Sequence, residues 1–195
     1  MLLTNHLKPN WHQLAAKPTR AGRGTHAHAP QGGRAFREEY LWQLSVADLL
    51  QANLVALGGV PGTPGLYGYL ECVELDAAAG PSSAELGLSK CQAVLGPLLE
   101  MTEEQVAEAY SFSKMVPVDE LGPGGGGYQR MQFVEFCELL VRLAHMRFRS
   151  EAGLPFPDKL TRTFEILFTL TGAEVTSLEP EKEISSASDY ASDED

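Results

Sequence analysis

MTEEQVAEAYSFSKMV (residues 101–116) and MQFVEFCELLVRLAHMRF (131–148), with GPGGGG (122–127) between them, decide how this chain is read. The first segment opens with a capping box. The Thr102 hydroxyl is placed to accept from the Gln105 N–H, and the Gln105 side chain to reach back to the Thr102 N–H. Glu103 and Glu104 stand in the first turn, where the helix dipole favours negative charge. Met101 and Val106 are spaced as a hydrophobic staple across that start. After Pro117 the periodicity stops, because the glycine run cannot continue a helix. In the second segment Phe133, Val134, Cys137, Leu140, Val141, Ala144 and Phe148 recur three, four and seven apart. Leu139 and Leu143 add a second stripe, so this helix is expected to be covered on more than one side and to form the centre of the core.

Working outward, Phe36, Tyr40, Leu41 and Leu44 have helical spacing, and Ser45 to Asp48 reads as a further capping box. Two helices meeting near Ser45, or one bent there, are expected, with Gly58 and Gly59 as the stop. Pro61, Gly62, Pro64, Gly65 and Gly68 mark turns; either Tyr67, Tyr69 and Leu70 form a short extended piece or Leu70 to Ala77 a short helix, and the pattern leaves both open. Ser82 to Glu85 is a third capping-box match, followed by Leu86, Cys91, Val94, Leu95 and Leu98 in helical register, with Gly96-Pro97 expected to break it. A last amphipathic helix places Leu160, Phe164, Leu167 and Phe168 inward and closes at Gly172. The chain thus alternates short helices with glycine and proline loops. An all-α domain over residues 36–172 follows, with a bundle of about five to six short helices.

The 195 residues are 44% hydrophobic, enough for one such domain plus tails. No apolar run approaches the ~20 residues that a membrane span needs, and the N-terminal apolar stretch is too short for a secretory signal. Cys72, Cys91 and Cys137 stand far apart in apolar settings and read as buried, reduced thiols, not as a zinc site or a disulfide framework.

The net charge of −11 is unevenly placed. Before Glu38 there is no acid, against Lys8, Lys17, Arg20, Arg23, Arg34 and Arg37. After Gly172 eight acids face one base, Lys182. A basic extended arm (1–35) and an acidic flexible tail (173–195) therefore flank the body. The arm's cations suit an acidic partner surface, with Trp11 as an apolar anchor. Six cations without interleaved aromatics do not make a nucleic-acid site, and the acidic body opposes one. His26 and His28 lack further ligands for a metal. Ser186 and Ser192 each have an acid three residues on, a spacing that suits acidophilic kinases.

Catalysis finds no constellation. The glycine run has no G-K-[ST] after it and no strand before it. Ser111-Phe112-Ser113-Lys114 lacks the companion motifs of an S-x-x-K enzyme. His145, the one histidine of the body, lies on the long helix beside Arg142 and Arg149 and reads as surface or half-buried, not as a general base. The expectation is a protein that is not an enzyme and holds no cofactor.

The helix, loop and helix ending in Phe-Val-Glu-Phe resemble an EF-hand unit. With Met131 at position 8 and Glu135 at position 12 of a calcium loop, Gly124, Gly126 and Tyr128 take the ligand positions and Gln129 stands where the turn glycine belongs. One carboxylate cannot supply the six to eight oxygens that calcium takes, so the resemblance is to the shape without the metal site. Over residues 82–170 the chain is similar to degenerate EF-hand-like modules of motile-cilium (axonemal) proteins, and to the core of the tubulin-polymerisation-promoting family. The resemblance implies a non-enzymatic structural module in the cytoplasm, on the cytoskeleton of a cilium or flagellum, docking on tubulin or other axonemal proteins. The alternative in the same family is a calcium-responsive sensor. EF-hand-like folds also seat partner helices between their own, which makes Phe112, Met115, Val134 and Met146 a candidate groove. Neither nucleic acid nor membrane is an expected partner.

Overall fold

The computed structural model describes residues 33–73, 86–114 and 131–178. These form an all-α fold with one two-residue β-ladder. In chain order the elements are α1 (Gly33–Phe36), a π-helical turn (Arg37–Leu41), α2 (Leu44–Ala52), α3 (Leu54–Gly58), β1 (Gly59–Val60), β2 (Thr63–Pro64), α4 (Leu66–Cys72), α5 (Leu88–Leu98), α6 (Glu103–Ser113), α7 (Phe133–Arg147) and α8 (Phe156–Phe168). The described residues thus hold more helices than the five to six expected. The chain from Gly33 divides at Trp42–Gln43 and again at Asn53, and Leu66–Cys72 is helical where the sequence left strand and helix open.

The central helix is α7. Ten of its fifteen residues are buried, from Glu135 to Ala144 without interruption, because α6 and α8 both pack on it. The capping box at Thr102 forms as its spacing predicts: Thr102 Oγ1 accepts from the Gln105 N–H at 3.3 Å, and Gln105 Oε1 from the Thr102 N–H at 2.9 Å. The box expected at Ser45 does not form. Gln43 occupies the N-cap position of α2, without a side-chain cap, and Ser45 is already inside the helix. The Ser82–Glu85 box lies outside the described residues.

Gly96-Pro97 does not break α5, which runs through both to Leu98. The terminator is Glu100, in the left-handed region at φ 52°. The Met101 N–H donates to Gly96 O (2.9 Å) and the Glu100 N–H to Pro97 O (3.3 Å), the pair of bonds of a Schellman cap. Pro97, which has no N–H to donate, stands in the last turn of the helix. At the other sharp corner, Gly59 has φ 84°, and a Cβ there would stand 2.4 Å from the Gly65 nitrogen. Only glycine fits so close a backbone approach.

Two connections tie remote parts of the chain. The Met131 N–H donates to Leu86 O at 3.0 Å, joining the entry of α5 to the entry of α7, with both side chains fully buried. Asn53, almost fully buried, donates to Leu49 O and Thr176 O and accepts from the Thr176 N–H. Ala173 and Val175 pack against the core beside it, so the first described residues of the stretch read as tail belong to the body.

Candidate functional site

The helical spacing of Glu104, Glu108 and Phe112 sets them in one row along α6. Phe112 ends that row with 40% of its surface exposed, unusual for a phenylalanine beside a packed core. It borders a shallow cleft, open to solvent, whose walls are Phe36 of α1, Glu108, Ala109 and Phe112 of α6, and Arg142, His145 and Met146 of α7. Such an open surface cleft is a place for a side chain to lie against, not an enclosed small-molecule pocket.

The floor of the cleft is ionic, with one carboxylate, Glu138, shared between two guanidinium groups. Arg142 Nε and Nη2 donate to Glu138 Oε1 at 3.0 and 2.7 Å, and Arg37 Nε donates to Glu138 Oε2 at 2.8 Å. The Arg142 guanidinium also lies over the Phe36 ring at 4.2 Å and near the Phe112 ring at 5.6 Å. Burial pushes the Arg142 pKa down while Glu138 opposes the change. His145 stands against Phe36 edge-on (5.6 Å), Tyr40 (4.6 Å) and Phe156 (6.3 Å). Its pKa is lowered from 6.5, first by burial and then by Lys159, with Glu39 opposing the change and Arg149 and Arg142 adding to it. The imidazole is therefore neutral at pH 7 and serves as an aromatic wall. Glu104, by contrast, is held below the usual carboxylate range by hydrogen bonds from its own backbone N–H and from Thr102.

Phe112 and Met146 of the expected groove do line this cleft. Val134 does not: it sits half-buried at the start of α7, about 18 Å along the axis from Met146. Met115 lies outside the described residues. Of the arm, Lys8, Trp11, Lys17, Arg20 and Arg23 also lie outside them. Arg34 is half-exposed and pairs with Glu38 at 2.7 Å. Arg37 reaches inward to Glu138 and so anchors the start of the body to α7. Phe36, Glu108, Arg142 and His145 were not assigned to the groove from the sequence. The i, i+4 pairs Glu108–Phe112 and Glu138–Arg142 were the available signal.

Glu135 accepts from the Gln132 N–H (2.8 Å) and from Lys114 Nζ (2.8 Å), making the N-terminal cap of α7 and a bridge to the end of α6. Four residues after Leu86, Lys90 is buried and donates to Glu71 O at 2.6 Å. Cys91 and Cys137 are buried, with thiols pushed up to about 12, and are inert at neutral pH. Cys72 corrects the expectation of three buried thiols: it is exposed, at the C-terminal end of α4. Among the described residues no group of three His, Cys, Asp or Glu side chains could hold a metal ion, and no helix is long and apolar enough to cross a membrane. Compared with family models, curated proteins and solved structures, the chain matches none.

Proposed function

We propose that this protein is a non-enzymatic structural or adaptor component of the cytoskeleton, in the axoneme of a cilium or flagellum, docking on tubulin or other axonemal proteins. The observation that carries this reading is the pairing of a contact-type site with a basic segment. Phe112 stands exposed at the rim of a cleft lined by Phe36 and Met146, with Arg142 paired to Glu138 and His145 held among aromatic rings. The chain enters that cleft's wall at Phe36 directly from a stretch of cations without acids. Such a site holds a side chain; it does not activate a bond. Microtubule surfaces are acidic, and a cationic arm gains many weak, salt-sensitive contacts there.

The EF-hand-like part of the reading has its own support. Helices α4 and α5 flank one intervening segment, α6 and α7 flank another, and the Leu86–Met131 backbone bond couples the two. Counting four residues on from each partner gives Lys90 and Glu135. The first is an ammonium where a calcium ligand would stand, and the second is engaged by Lys114 and the α7 cap. A calcium-responsive role draws no support from either position.

The test is co-sedimentation of the full chain with stabilised microtubules across a salt series. Pelleting at low salt that declines as salt rises supports the reading. Absence of the protein from the pellet at every salt concentration contradicts direct tubulin binding.

A further inference from the structure

The cleft between α1, α6 and α7 has an asymmetric rim. On the α6 side Glu104 and Glu108 lead to exposed Phe112, and α6 carries no basic residue in its last turn. On the His145 side stand Arg149 and Lys159. An occupant that places an apolar group in the cleft and cations along α6 is complementary; one with acids along α6 is repelled. The segment Leu7-Lys8-Pro9-Asn10-Trp11-His12-Gln13-Leu14-Ala15-Ala16-Lys17 has that chemistry, since Trp11 is flanked by Lys8 and Lys17 with no acid near. The same polypeptide enters the described fold at Gly33, three residues before Phe36 of the cleft wall. Roughly 25 residues separate Trp11 from Phe36, and at about 3.3 Å each they span far more than the cleft's distance from that entry point. A tether of this length gives an effective concentration on the order of millimolar, so even a weak contact is well populated.

We propose that this cleft is the docking site of the chain's own N-terminal segment, with Trp11 seated against Phe112 and Met146 and Lys8 and Lys17 along Glu104 and Glu108. The segment that suits an acidic partner surface thereby has an acidic resting place on its own body, and partner and cleft compete for it. The inference stands on the cleft and the charge pattern and does not depend on the microtubule reading.

The experiment is zero-length carbodiimide cross-linking of the full chain, without partner, at low micromolar concentration, with the linked pairs read by mass spectrometry. Links from Lys8 or Lys17 to Glu104 or Glu108 are expected within monomers, at a yield unchanged by dilution and reduced by salt. Phe112→Ser, at an exposed site, is expected to reduce that yield about tenfold by removing the apolar contact. In the Trp42→Phe chain, Trp11 is the sole indole, and its fluorescence should be blue-shifted and shielded from acrylamide until Phe112→Ser is added. Links found only between chains, or spread evenly over exposed acids such as Glu151 and Glu174, overturn the proposal. So does a Trp11 quenched as freely as in an isolated peptide. Since no microtubule is present, failure here and failure to pellet are separate results.

Discussion

Glu138 holds two guanidinium groups, Arg37 and Arg142, with one carboxylate that is 1% exposed. Removing it leaves two cations, one of them buried, without their counter-charge. Glu138→Gln should therefore destabilise the fold by about 3–5 kcal/mol, measured by denaturant titration. The double variant Glu138→Met, Arg142→Met should cost less than Glu138→Gln alone, since no buried charge is stranded and Arg37 is exposed enough to reach water. His145 makes a pH prediction. Its folded pKa lies below the 6.5 of the free side chain, so the unfolded chain binds the proton more readily. The stability it contributes is full above 6.5 and is lost as pH falls through the lower folded value. Melting temperature should drop more steeply between pH 7 and 5 in the parent than in His145→Phe, which has no proton to take up.

Glu100 is where an element's end was least visible beforehand. A left-handed terminator is ordinarily announced by glycine or asparagine, and here the announcing residues, Gly96-Pro97, lie inside the helix they were expected to end. Glu100→Gly should stabilise by about 1 kcal/mol, because the strain of a side chain at φ 52° exceeds the value of one exposed ion pair to Arg147. Thermal melting checks the sign. The elements read well from sequence were those with redundant signals. Helix α6 has a capping box, a staple and a stop, while α7 has two apolar stripes that together predict a helix covered on more than one side. Leu66–Cys72 was undecided because seven residues hold too few turns for periodicity to speak. The cleft was half legible. Phe112 and Met146 sit on the two long helices, but Phe36 enters from a short one about 75 residues earlier in the chain, and no spacing rule reaches that far.

At the scale of the molecule, Asn53 and Thr176 close the body across 123 residues of chain. The side-chain amide of Asn53 imitates a strand's pair of backbone bonds and, with the packing of Ala173 and Val175, holds the segment after Gly172 against the end of α2. Asn53→Ala should cost about 1–3 kcal/mol and raise hydrogen exchange at the Thr176 N–H well before the amides of α7 are affected. The charge layout was the most legible feature of the whole chain, because it needs only counting. The geometry that makes a destination for the arm out of α6 and Phe112 required the fold.

An acidic surface, when offered, should draw the arm off the body. The measurement is carbodiimide cross-linking of the full chain pelleted with microtubules, read at Lys8 and Lys17. The account predicts links from these lysines to tubulin acids, with the internal links to Glu104 and Glu108 falling in proportion. A pellet whose tubulin links come only from the body, through residues such as Lys159, with the arm unlinked, would contradict it.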